Sequence, residues 1–364
     1  MTYLHAIGTS TPAHQYQQAD LLNFMLKWTK DIGRVEQLFL KKVYSGGKIQ
    51  QRNSILPDFD LNQGKPPLLF EYNQDLPPIE KRMKIFEGAA CALSIKSVRH
   101  CLEQVPDVAL SEITHLITVS CTGLYAPGLD IVLTKELGLN HNIQRTGVNF
   151  MGCYAAFHAL KMADDICKNQ PKAKVLLVAT ELCTLHFSPE KSLDQMMANA
   201  LFADGSASVL LSGSRQLPKK SQNYLKIKGH QQKLLPDSRD EMAWRVGPLQ
   251  FEMVLSKKIP QLIEQHLPSF IKPFVGEDQI DQYAIHPGGA NILKAVEKAM
   301  NLSPEEIGFS YKILNQCGNM SSASVLFVLA EMMAATPAGK QQILAGGFGP
   351  GLNMEAMRFE LNQA

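Results

Sequence analysis

Two cycles in which strand-like and helix-like segments alternate constrain the fold of this 364-residue chain more than any other feature. From about residue 111, apolar runs such as HLITVS (115–120) and KVLLVAT (174–180) alternate with segments of helical periodicity. Such a βαβαβ order is typical of a largely parallel sheet that is covered by helices. The first cycle therefore predicts an α/β unit.

A second cycle follows the polar connection SRQLPKKSQNY (214–224). It predicts strands at KIKGHQQ (226–232) and DQYAIHP (281–287), helices through LSKKIPQLIEQHLPSFI (255–271) and near 291–300, and a further strand in YKILNQCGN (311–319). A further helix and two strands complete the cycle. The second part of the chain is therefore expected to form another α/β unit.

An internal echo supports two related halves. ALFADGSASVLL (200–211) resembles AGGFGPGLNMEAM (345–357), although runs of apolar residues around glycine also recur by chance. We predict that residues 1–213 and 214–364 are two similar halves. The first 110 residues are more helical and polar, and the proline-rich stretch from Pro57 to Pro78 is expected to form a loop or cap over the core.

Charge and hydropathy exclude several classes of function. The 36 basic residues nearly balance 34 acidic ones, so the chain lacks the basic field that drives nucleic-acid binding. No segment approaches the roughly 20 apolar residues that span a bilayer, and the first residues do not resemble a secretory leader. We therefore expect a cytoplasmic protein with neither a nucleic-acid nor a membrane partner.

The seven cysteines form an odd set without CxxC spacing, which argues against a disulfide framework and a structural zinc site. They are expected to be free thiols. Most need no explanation beyond packing, because an unpaired cysteine behaves as a small hydrophobic residue.

Cys153 is the exception, because it follows Gly152 at a predicted turn from strand to helix. The partial positive charge of a helix N-terminus would lower the pKa of this thiol and favour the nucleophilic thiolate. Packing in the core is the alternative, and a catalytic role requires a partner base.

Two further junctions offer suitable partners. His286 ends an apolar strand in YAIHPGGAN, at the carboxyl edge where α/β sheets place their sites. Asn319, in QCGNMSSAS, is expected at another strand-to-helix junction. Topology could bring all three side chains to one cavity, although spacing by itself does not exclude a chance triple.

Seven short motifs extend over nearly the whole chain: IGTSTP (7–12), SCTGLYAPGLD (120–130), GVNFMGC (147–153), ALFADG (200–205), HPGGAN (286–291), GNMSSAS (318–324) and GGFGPGL (346–352). In this order they resemble the type III polyketide synthases, the chalcone synthase family of the thiolase superfamily. Related β-ketoacyl synthases typically carry His-Gln-Ala-Asn in place of HPGG and lack the GFGPG form.

The resemblance implies an α/β fold of five layers, α-β-α-β-α, built from two pseudo-duplicated halves, and a homodimer. It also implies an enzyme that loads an acyl-CoA starter on Cys153 and extends it with malonyl-CoA. Cys153 would be a thiolate held by a His286 imidazolium, and His286 and Asn319 would stabilise the enolate formed on decarboxylation. This chemistry uses no metal and no cofactor beyond the CoA thioesters.

The resemblance assigns further positions to the substrate pocket. Phe202 and Phe251 match the two aromatic gatekeepers between the CoA tunnel and the cavity, although each could simply be core. The other pocket positions are Thr122, Ala126, Cys183, His186, Met242 and Ser321. Lys48 and Arg52 lie where plant enzymes carry a basic cluster for the CoA phosphates, although ordinary solvated charge is the alternative.

Several of these positions differ from the plant pattern. Cys183 and His186 replace two threonines, Met242 lies near a glycine position, and Ala126 stands where plants usually have a methionine that reaches across the dimer. The resemblance therefore favours a bacterial-type member that makes a pyrone, a resorcinol or a related small polyketide.

Two other functions stay open on the sequence. One is a single-condensation β-ketoacyl synthase of the same superfamily, which could take its substrate from an acyl carrier protein. The other is a thiolase-fold subunit that has no activity and only binds a partner, which an intact Cys, His and Asn set disfavours.

Overall fold

The computed structural model describes residues 1–29, 32–61, 67–71, 74–190, 192–214, 223–335 and 339–363. The strands are β1 (Tyr3–Ser10), β2 (His14–Gln17), β3 (Gln51–Ser54), β4 (His115–Ser120), β5 (Gln144–Asn149), β6 (Lys174–Leu182), β7 (Asp204–Ser212), β8 (Asn223–Leu234), β9 (Met242–Val246), β10 (Phe251–Leu255), β11 (Gln282–Ile285), β12 (Gln341–Gly349) and β13 (Asn353–Gln363).

The helices are α1 (Gln18–Trp28), α2 (Arg34–Gly46), α3 (Ile79–Glu103), α4 (Leu129–Glu136), α5 (Ala155–Asn169), α6 (Leu193–Leu201), α7 (Ile259–Val275), α8 (Ala290–Met300), α9 (Gly308–Cys317) and α10 (Ser324–Ala334). Short 3-10 helices lie at Leu110–Glu112, Cys183–His186, Ser321–Ala323 and Pro350–Leu352.

Nine strands form one sheet in the order β11-β12-β13-β8-β1-β7-β6-β4-β5. The two halves of the chain meet where β1 pairs with β8, through Tyr3 with Lys226 and Leu4 with Leu225. The expectation of a largely parallel sheet is wrong. In the described residues, parallel pairing is confined to β4 with β5 and β6, and to β11 with β12, because β7, β8 and β13 return antiparallel.

Alternation of side chains along the strands divides the interior into three cores. Leu176 and Val178 of β6 pack on the side of α3, and Leu177 packs with α5 and α10. In the second half, Ile343 of β12 packs in the same central core, and Leu344 packs on the side of α7 and α8. Helices therefore lie on the outer face of the strands of each half and also between the two sets of strands. This gives the expected five-layer α-β-α-β-α arrangement.

Most predicted segments adopt the expected structure, and the predicted strand β4 has the same bounds as HLITVS. The strand predicted in YKILNQCGN (311–319) is wrong, because residues 311–317 lie in helix α9. YKIL is apolar enough for either structure. Ile313 is buried in the core that contains α10, and Leu314 is buried in the core that contains α7 and α8. The hairpin β9–β10 was not predicted.

The proline-rich loop is irregular over its described parts, 57–61, 67–71 and 74–78, as predicted. Its fold depends on the Asp58 carboxylate, which accepts hydrogen bonds from the backbone N–H groups of Leu68, Leu69 and Phe70 at 2.6–2.8 Å. These contacts bring the aromatic side chains of Phe59 and Phe70 into the core beside Phe187.

The carboxyl ends of the parallel strands position the candidate site. β4, β5 and β6 run in one direction, so residues that follow Ser120, Asn149 and Leu182 lie at the same edge of the sheet. In the second half, His286 follows β11 and Pro350 follows β12, which is parallel to it. This edge is where α/β folds place ligands.

Candidate active site

The three predicted catalytic residues line one cavity of about 740 Å³. Cys153 lies between β5 and α5, His286 lies between β11 and α8, and Asn319 lies between α9 and α10. The tertiary structure thus brings Cys153 together with His286 and Asn319, which lie more than a hundred residues further along the chain.

Cys153 is placed by a strained turn. Phe150 has a φ of 58° and Gly152 a φ of 83°, both in the left-handed region. A Cβ at Gly152 would lie 2.3 Å from Cδ of Pro350, so only glycine fits against the loop after β12. The turn brings the thiol into the cavity two residues before α5 begins.

Burial raises the pKa of the Cys153 thiol to about 12, and the nearby Glu181 carboxylate adds to this shift. Hydrogen bonds from Ser321 and Asn319 to the sulfur lower the pKa only in part. Desolvation of a thiolate thus acts on Cys153 in the sense opposite to the field expected from the helix N-terminus, and the acidic thiol stays a prediction.

His286 is 2% exposed, and desolvation lowers the pKa of its imidazole to about 3. Neither ring nitrogen has a hydrogen-bond partner among the described residues. Burial therefore disfavours the charged form of each group taken by itself, a thiolate on Cys153 and an imidazolium on His286. The thiolate–imidazolium pair stays a prediction.

Asn319 is fixed by backbone and side-chain contacts. Its N–H donates to the carbonyl of Leu201 at 2.9 Å, and its own carbonyl accepts from the N–H of Ala203 at 2.8 Å. The side-chain oxygen accepts from the N–H of Ser321 at 2.9 Å. Because the oxygen is occupied in this way, the amide N–H₂ group is the part of Asn319 that can donate to a substrate.

A buried carboxylate supports the turn after β4. Glu181 accepts hydrogen bonds from the N–H of Cys121 at 2.9 Å, from the hydroxyl of Thr122 at 2.8 Å and from the hydroxyl of Ser322. Desolvation raises the pKa of this carboxyl. Glu181 thereby links the segment after β4 to the segment that follows Asn319.

His186 belongs to the cavity wall and differs from His286 in its contacts. Its Nδ1 accepts from the N–H of Phe251 at 3.0 Å, and its Nε2 donates to the carbonyl of Thr122 at 2.8 Å. This pattern requires the neutral tautomer with hydrogen on Nε2. The ring stacks on Phe251, with 4.2 Å between centroids.

Most of the predicted pocket residues line the cavity, and two do not. Phe251 is 1% exposed behind His186, and Ala126 is exposed on the surface of the single chain. The pocket residues that do line the cavity are Thr122, Cys183, His186, Phe202, Met242 and Ser321.

The predicted CoA contact of Arg52 is wrong. Its side chain is buried, donates to Oε1 of Gln18 at 2.9 Å and to the carbonyl of Phe202, and has its pKa lowered by desolvation. Arg52 therefore supports the backbone of Phe202 from inside the protein and does not reach a phosphate in solvent. Lys48 is exposed, with Nζ 4.3 Å from the centre of the Tyr311 ring, and lies outside the cavity lining.

Comparison with known proteins identifies the family. Residues 1–215 match the N-terminal domain of chalcone and stilbene synthases, and residues 226–361 match their C-terminal domain. The chain belongs to the chalcone and stilbene synthase family. It is accordingly a type III polyketide synthase, an acyltransferase of the condensing type, as the motifs predicted.

Individual relatives agree with this assignment over nearly full length. The "Alpha-pyrone synthesis polyketide synthase-like Pks18" of Mycobacterium tuberculosis is 28% identical over 98% of this chain and 91% of its own length. The structure of "PKS-I from the brown algae Ectocarpus siliculosus" is 27% identical, with a TM-score of 0.91 and coverage of 100% of this chain and 98% of that one.

A third relative has the type of synthase in its name. It is the "C-terminal Type III Polyketide Synthase (PKS III) Domain of 'Steely1'" from Dictyostelium, 25% identical, with a TM-score of 0.88 and coverage of 100% and 99% of the two chains. These likenesses confirm the thiolase-like fold class.

Sequence reasoning missed several residues of this family member's cavity. Lys42, Lys257 and Lys294 are exposed and line the cavity, so they present positive charge at its mouth. Trp244 of the hairpin β9–β10 also lines the cavity, and its indole N–H donates a hydrogen bond to the carbonyl of Cys121 at 2.8 Å. The lysines carry no local motif, but Glu181 could have been found as a lone carboxylate at the end of the apolar strand KVLLVATEL.

Two other features of this polyketide synthase lie outside the cavity. Asp164, Asp165 and His230 offer possible metal ligands within 4.8 Å of one another, but none of them lines the cavity, and Lys168 pairs with Asp164 at 2.6 Å. Across the described ranges, no helix combines the length and the apolar character needed to cross a membrane.

Proposed function

We propose that this synthase loads an acyl-CoA starter on Cys153 and extends it by decarboxylative Claisen condensation with malonyl-CoA. The observation that carries the proposal is the cavity itself, in which a thiol, an imidazole with both nitrogens unpartnered and a fixed amide donor occur together. These are the groups that thioester exchange and enolate stabilisation require.

Acyl transfer requires the thiolate of Cys153. His286 takes the proton of Cys153 as the starter binds, and the thiolate attacks the thioester carbonyl carbon. The tetrahedral intermediate collapses with cleavage of the bond between that carbon and the CoA sulfur. His286 returns the proton to the departing CoA thiolate, so the imidazole is neutral again and the acyl group is held as a thioester on Cys153.

Decarboxylation of malonyl-CoA uses the same neutral imidazole as a donor. His286, through one N–H, and Asn319, through its amide, donate hydrogen bonds to the thioester oxygen of malonyl-CoA. Loss of carbon dioxide leaves an electron pair that is delocalised onto this oxygen as an enolate. A neutral amide suits this role, since a carboxylate at the same place would repel the developing charge.

Condensation lengthens the chain by two carbons. The enolate carbon attacks the acyl carbonyl on Cys153, a carbon–carbon bond forms and the cysteine thiolate leaves. The new β-ketoacyl-CoA can return to Cys153 for another cycle. Repetition gives a poly-β-keto chain, which we propose is released as a pyrone, a resorcinol or a related small phenolic. The name of the mycobacterial relative, an α-pyrone synthesis protein, supports this product class.

The mouth of the cavity supports CoA as the carrier. Lys42, Lys257 and Lys294 are exposed there and would contact its phosphates, and Lys48 stays a predicted contact further out. We also propose a homodimer in which Ala126 lies near the partner, a cytoplasmic location, and no requirement for a cofactor beyond CoA thioesters.

Product analysis tests the proposal. The purified protein is incubated with malonyl-CoA and a panel of acyl-CoA starters, and the products are identified by mass. We expect starter plus two or more malonyl-derived units, and no product from Cys153→Ala. Release of a product with a single added unit, or activity only with starters on an acyl carrier protein, would favour the single-condensation ketosynthase.

A further inference from the structure

The outer surface of helix α2 carries two large apolar side chains that pack in no core. Val35 is 75% exposed and Leu38 is 59% exposed, and neither belongs to a hydrophobic core of the described residues. They lie one helical turn apart on the same face, whereas Leu40 and Tyr44, the buried residues of this helix, lie on the other face. A contiguous exposed apolar pair is a contact surface for another molecule.

Positive charge surrounds this apolar pair. Arg34, Lys41 and Lys42 are exposed on the same helix, and the ion pairs between described residues include none of them. Glu36 is the only acidic residue of α2, and its carboxylate folds back toward Gly33, where it would lie 2.5 Å from an added Cβ. The exposed face of α2 therefore carries positive charge that no acid of this helix offsets.

The same helix leads into the catalytic cavity. Phe39, Lys42 and Val43 line the cavity, and Lys42 lies four residues after Leu38, next to it on the helix surface. We define the α2 patch by the exposed residues of this helix that lie outside the cavity lining, Arg34, Val35, Leu38 and Lys41. A molecule that sits on the α2 patch is therefore at the entrance through which a thioester reaches Cys153.

CoA by itself does not account for the α2 patch. Its phosphates would contact Lys42, Lys257 and Lys294 of the lining, which leaves the apolar pair outside the cavity without a partner. Acyl groups are also carried as thioesters by acyl carrier proteins, which are small, acidic and hold the acyl chain on a phosphopantetheine arm. Acidic side chains of such a carrier complement Arg34 and Lys41. Two apolar side chains offer little area to a lipid bilayer, so the patch favours a protein.

We propose that the α2 patch docks an acidic acyl carrier protein, whose phosphopantetheine arm enters the cavity beside Lys42 and delivers the starter to Cys153. The inference rests on the proposed function, because it names a partner that supplies the starter to that site. The bond between the acyl carbon and the pantetheine sulfur breaks, and a bond to Sγ of Cys153 forms. His286 passes the proton of Cys153 to the departing pantetheine thiolate, so no further reactant is needed. Acyl-CoA starters also load, because their contacts lie within the cavity lining.

Loading of Cys153 from different hexanoyl donors tests the docking. The donors are hexanoyl-CoA, hexanoyl-pantetheine and a purified bacterial fatty-acid acyl carrier protein that bears a hexanoyl group. The rate of mass gain on the intact protein, without malonyl-CoA, gives kcat/KM for each donor. The carrier should exceed hexanoyl-pantetheine by about tenfold or more at low salt, because complementary charge raises the association rate. A carrier that is no better than hexanoyl-pantetheine would overturn the proposal.

A matched pair of variants locates the contact. Leu38→Gln removes an apolar side chain of the α2 patch, and Leu234→Gln makes the same change at a side chain of β8 that is 66% exposed and outside the cavity lining. Leu38→Gln should lower kcat/KM for the carrier by about tenfold and leave both small donors within about twofold, and Leu234→Gln should alter none of the three. Equal carrier constants in the two variants would contradict the docking.

Lys41→Gln tests the charge of the α2 patch separately from its apolar contact. This variant should lower carrier loading by about threefold at low salt and by less at high salt, because the contact is exposed. Loading from hexanoyl-pantetheine, which has no charge, should not change. A carrier constant that is the same with and without Lys41 at low salt would contradict an acidic partner.

The product analysis and the loading assay together separate this inference from the proposed function. Carrier loading that depends on Leu38 but gives no condensation product with malonyl-CoA would refute the proposed function alone. Condensation products from hexanoyl-CoA, with carrier loading that does not depend on Leu38, would refute the docking alone. Sedimentation with phosphatidylglycerol vesicles that Leu38→Gln abolishes, without an effect on the carrier, would also overturn the docking and assign the α2 patch to a membrane surface.

Discussion

The two buried histidines of the cavity share a lowered pKa and differ in their hydrogen bonds. Burial lowers the pKa of both His186 and His286 to about 3, so both rings are neutral. His186 uses both nitrogens in hydrogen bonds within the protein, whereas His286 has no partner for either nitrogen in the part of the chain that the structure describes. The first ring can hold a wall in place, and the second can exchange a proton with a ligand.

This difference shows that a shifted pKa does not by itself mark a catalytic group. Desolvation is the largest cause of the lowered pKa of both histidines, and the unused hydrogen-bonding nitrogens of His286 distinguish the two rings. The positively charged side chains of the site also differ in whether their hydrogen bonds are used within the protein. Arg52 is committed to Gln18 and Phe202 inside the protein, and Lys257 and Lys294 are exposed at the mouth.

His286→Gln should have the largest effect on activity. Loss of the base should lower acyl loading of Cys153 by about 10²–10⁴-fold. No hydrogen bond of the free protein is removed, so thermal unfolding should occur within a few degrees of the unchanged protein. Rapid-quench mass analysis of loading, with calorimetry on the same sample, tests both parts. A fall of less than tenfold would place the base elsewhere.

Asn319→Asp should follow, since it replaces a neutral donor by a carboxylate of the same shape. Decarboxylation of malonyl-CoA should fall by about 10²–10³-fold, because the enolate loses a donor and faces a negative charge. The side-chain oxygen that accepts from Ser321 is kept. Release of carbon dioxide from labelled malonyl-CoA measures the effect. Survival of decarboxylation would count against the role of Asn319.

Acid should destabilise the protein through both histidines. Their pKa values rise from about 3 in the folded state to about 6.5 on unfolding. The unfolded chain therefore binds more protons between these pH values, and stability falls as pH drops through that window, by up to about 1.4 kcal/mol per pH unit for each ring.

A single variant separates the effect of His286 on the pH dependence of stability from that of buried carboxyl groups, whose effect has the opposite sign. Burial raises the pKa of Asp204 to about 6, so it favours the folded state as pH falls toward 4. His286→Gln should therefore lose less stability between pH 7 and 4.5 than the unchanged protein does. Urea unfolding at the two pH values measures the difference, and equal losses would show that His286 does not titrate on unfolding.

His186→Phe should destabilise the cavity wall and leave acyl loading nearly unchanged. It leaves the N–H of Phe251 and the carbonyl of Thr122 without a partner, which should cost about 2 kcal/mol of unfolding free energy. The rate of acetyl loading should stay within a few-fold of that of the unchanged protein, because the His186 ring does not exchange a proton in the reaction. Loading that fell as far as it does in His286→Gln would erase the distinction between the two histidines.

The smallest effect on activity is expected for the exposed lysines at the mouth of the cavity. Lys257→Met should raise the KM for acyl-CoA a few-fold at low salt, with a smaller difference at high salt because the contact is exposed. Arg52→Met should lower the stability and leave the salt dependence of KM unchanged. Steady-state kinetics at two ionic strengths tests the pair, and a salt-dependent KM in Arg52→Met would restore the CoA contact predicted from the sequence.

The sequence by itself determined the segments whose signals are local. Apolar runs of β-branched residues located β4 and β6, and cysteine and histidine after strand ends identified Cys153 and His286 as a candidate pair. The motif order was sufficient to recognise the family. These features depend on neighbours within a few residues, so they can be read along the chain.

Only the tertiary structure decided what depends on distant partners. YKILN is a helix because α9 packs beside α10, and the sheet is mixed because β7, β8 and β13 return antiparallel. Arg52 is buried, and burial raises the pKa of the Cys153 thiol and lowers the pKa of the His286 imidazole, because segments far along the chain exclude water from them. Desolvation is a property of the packed whole, and no local pattern of residues encodes it.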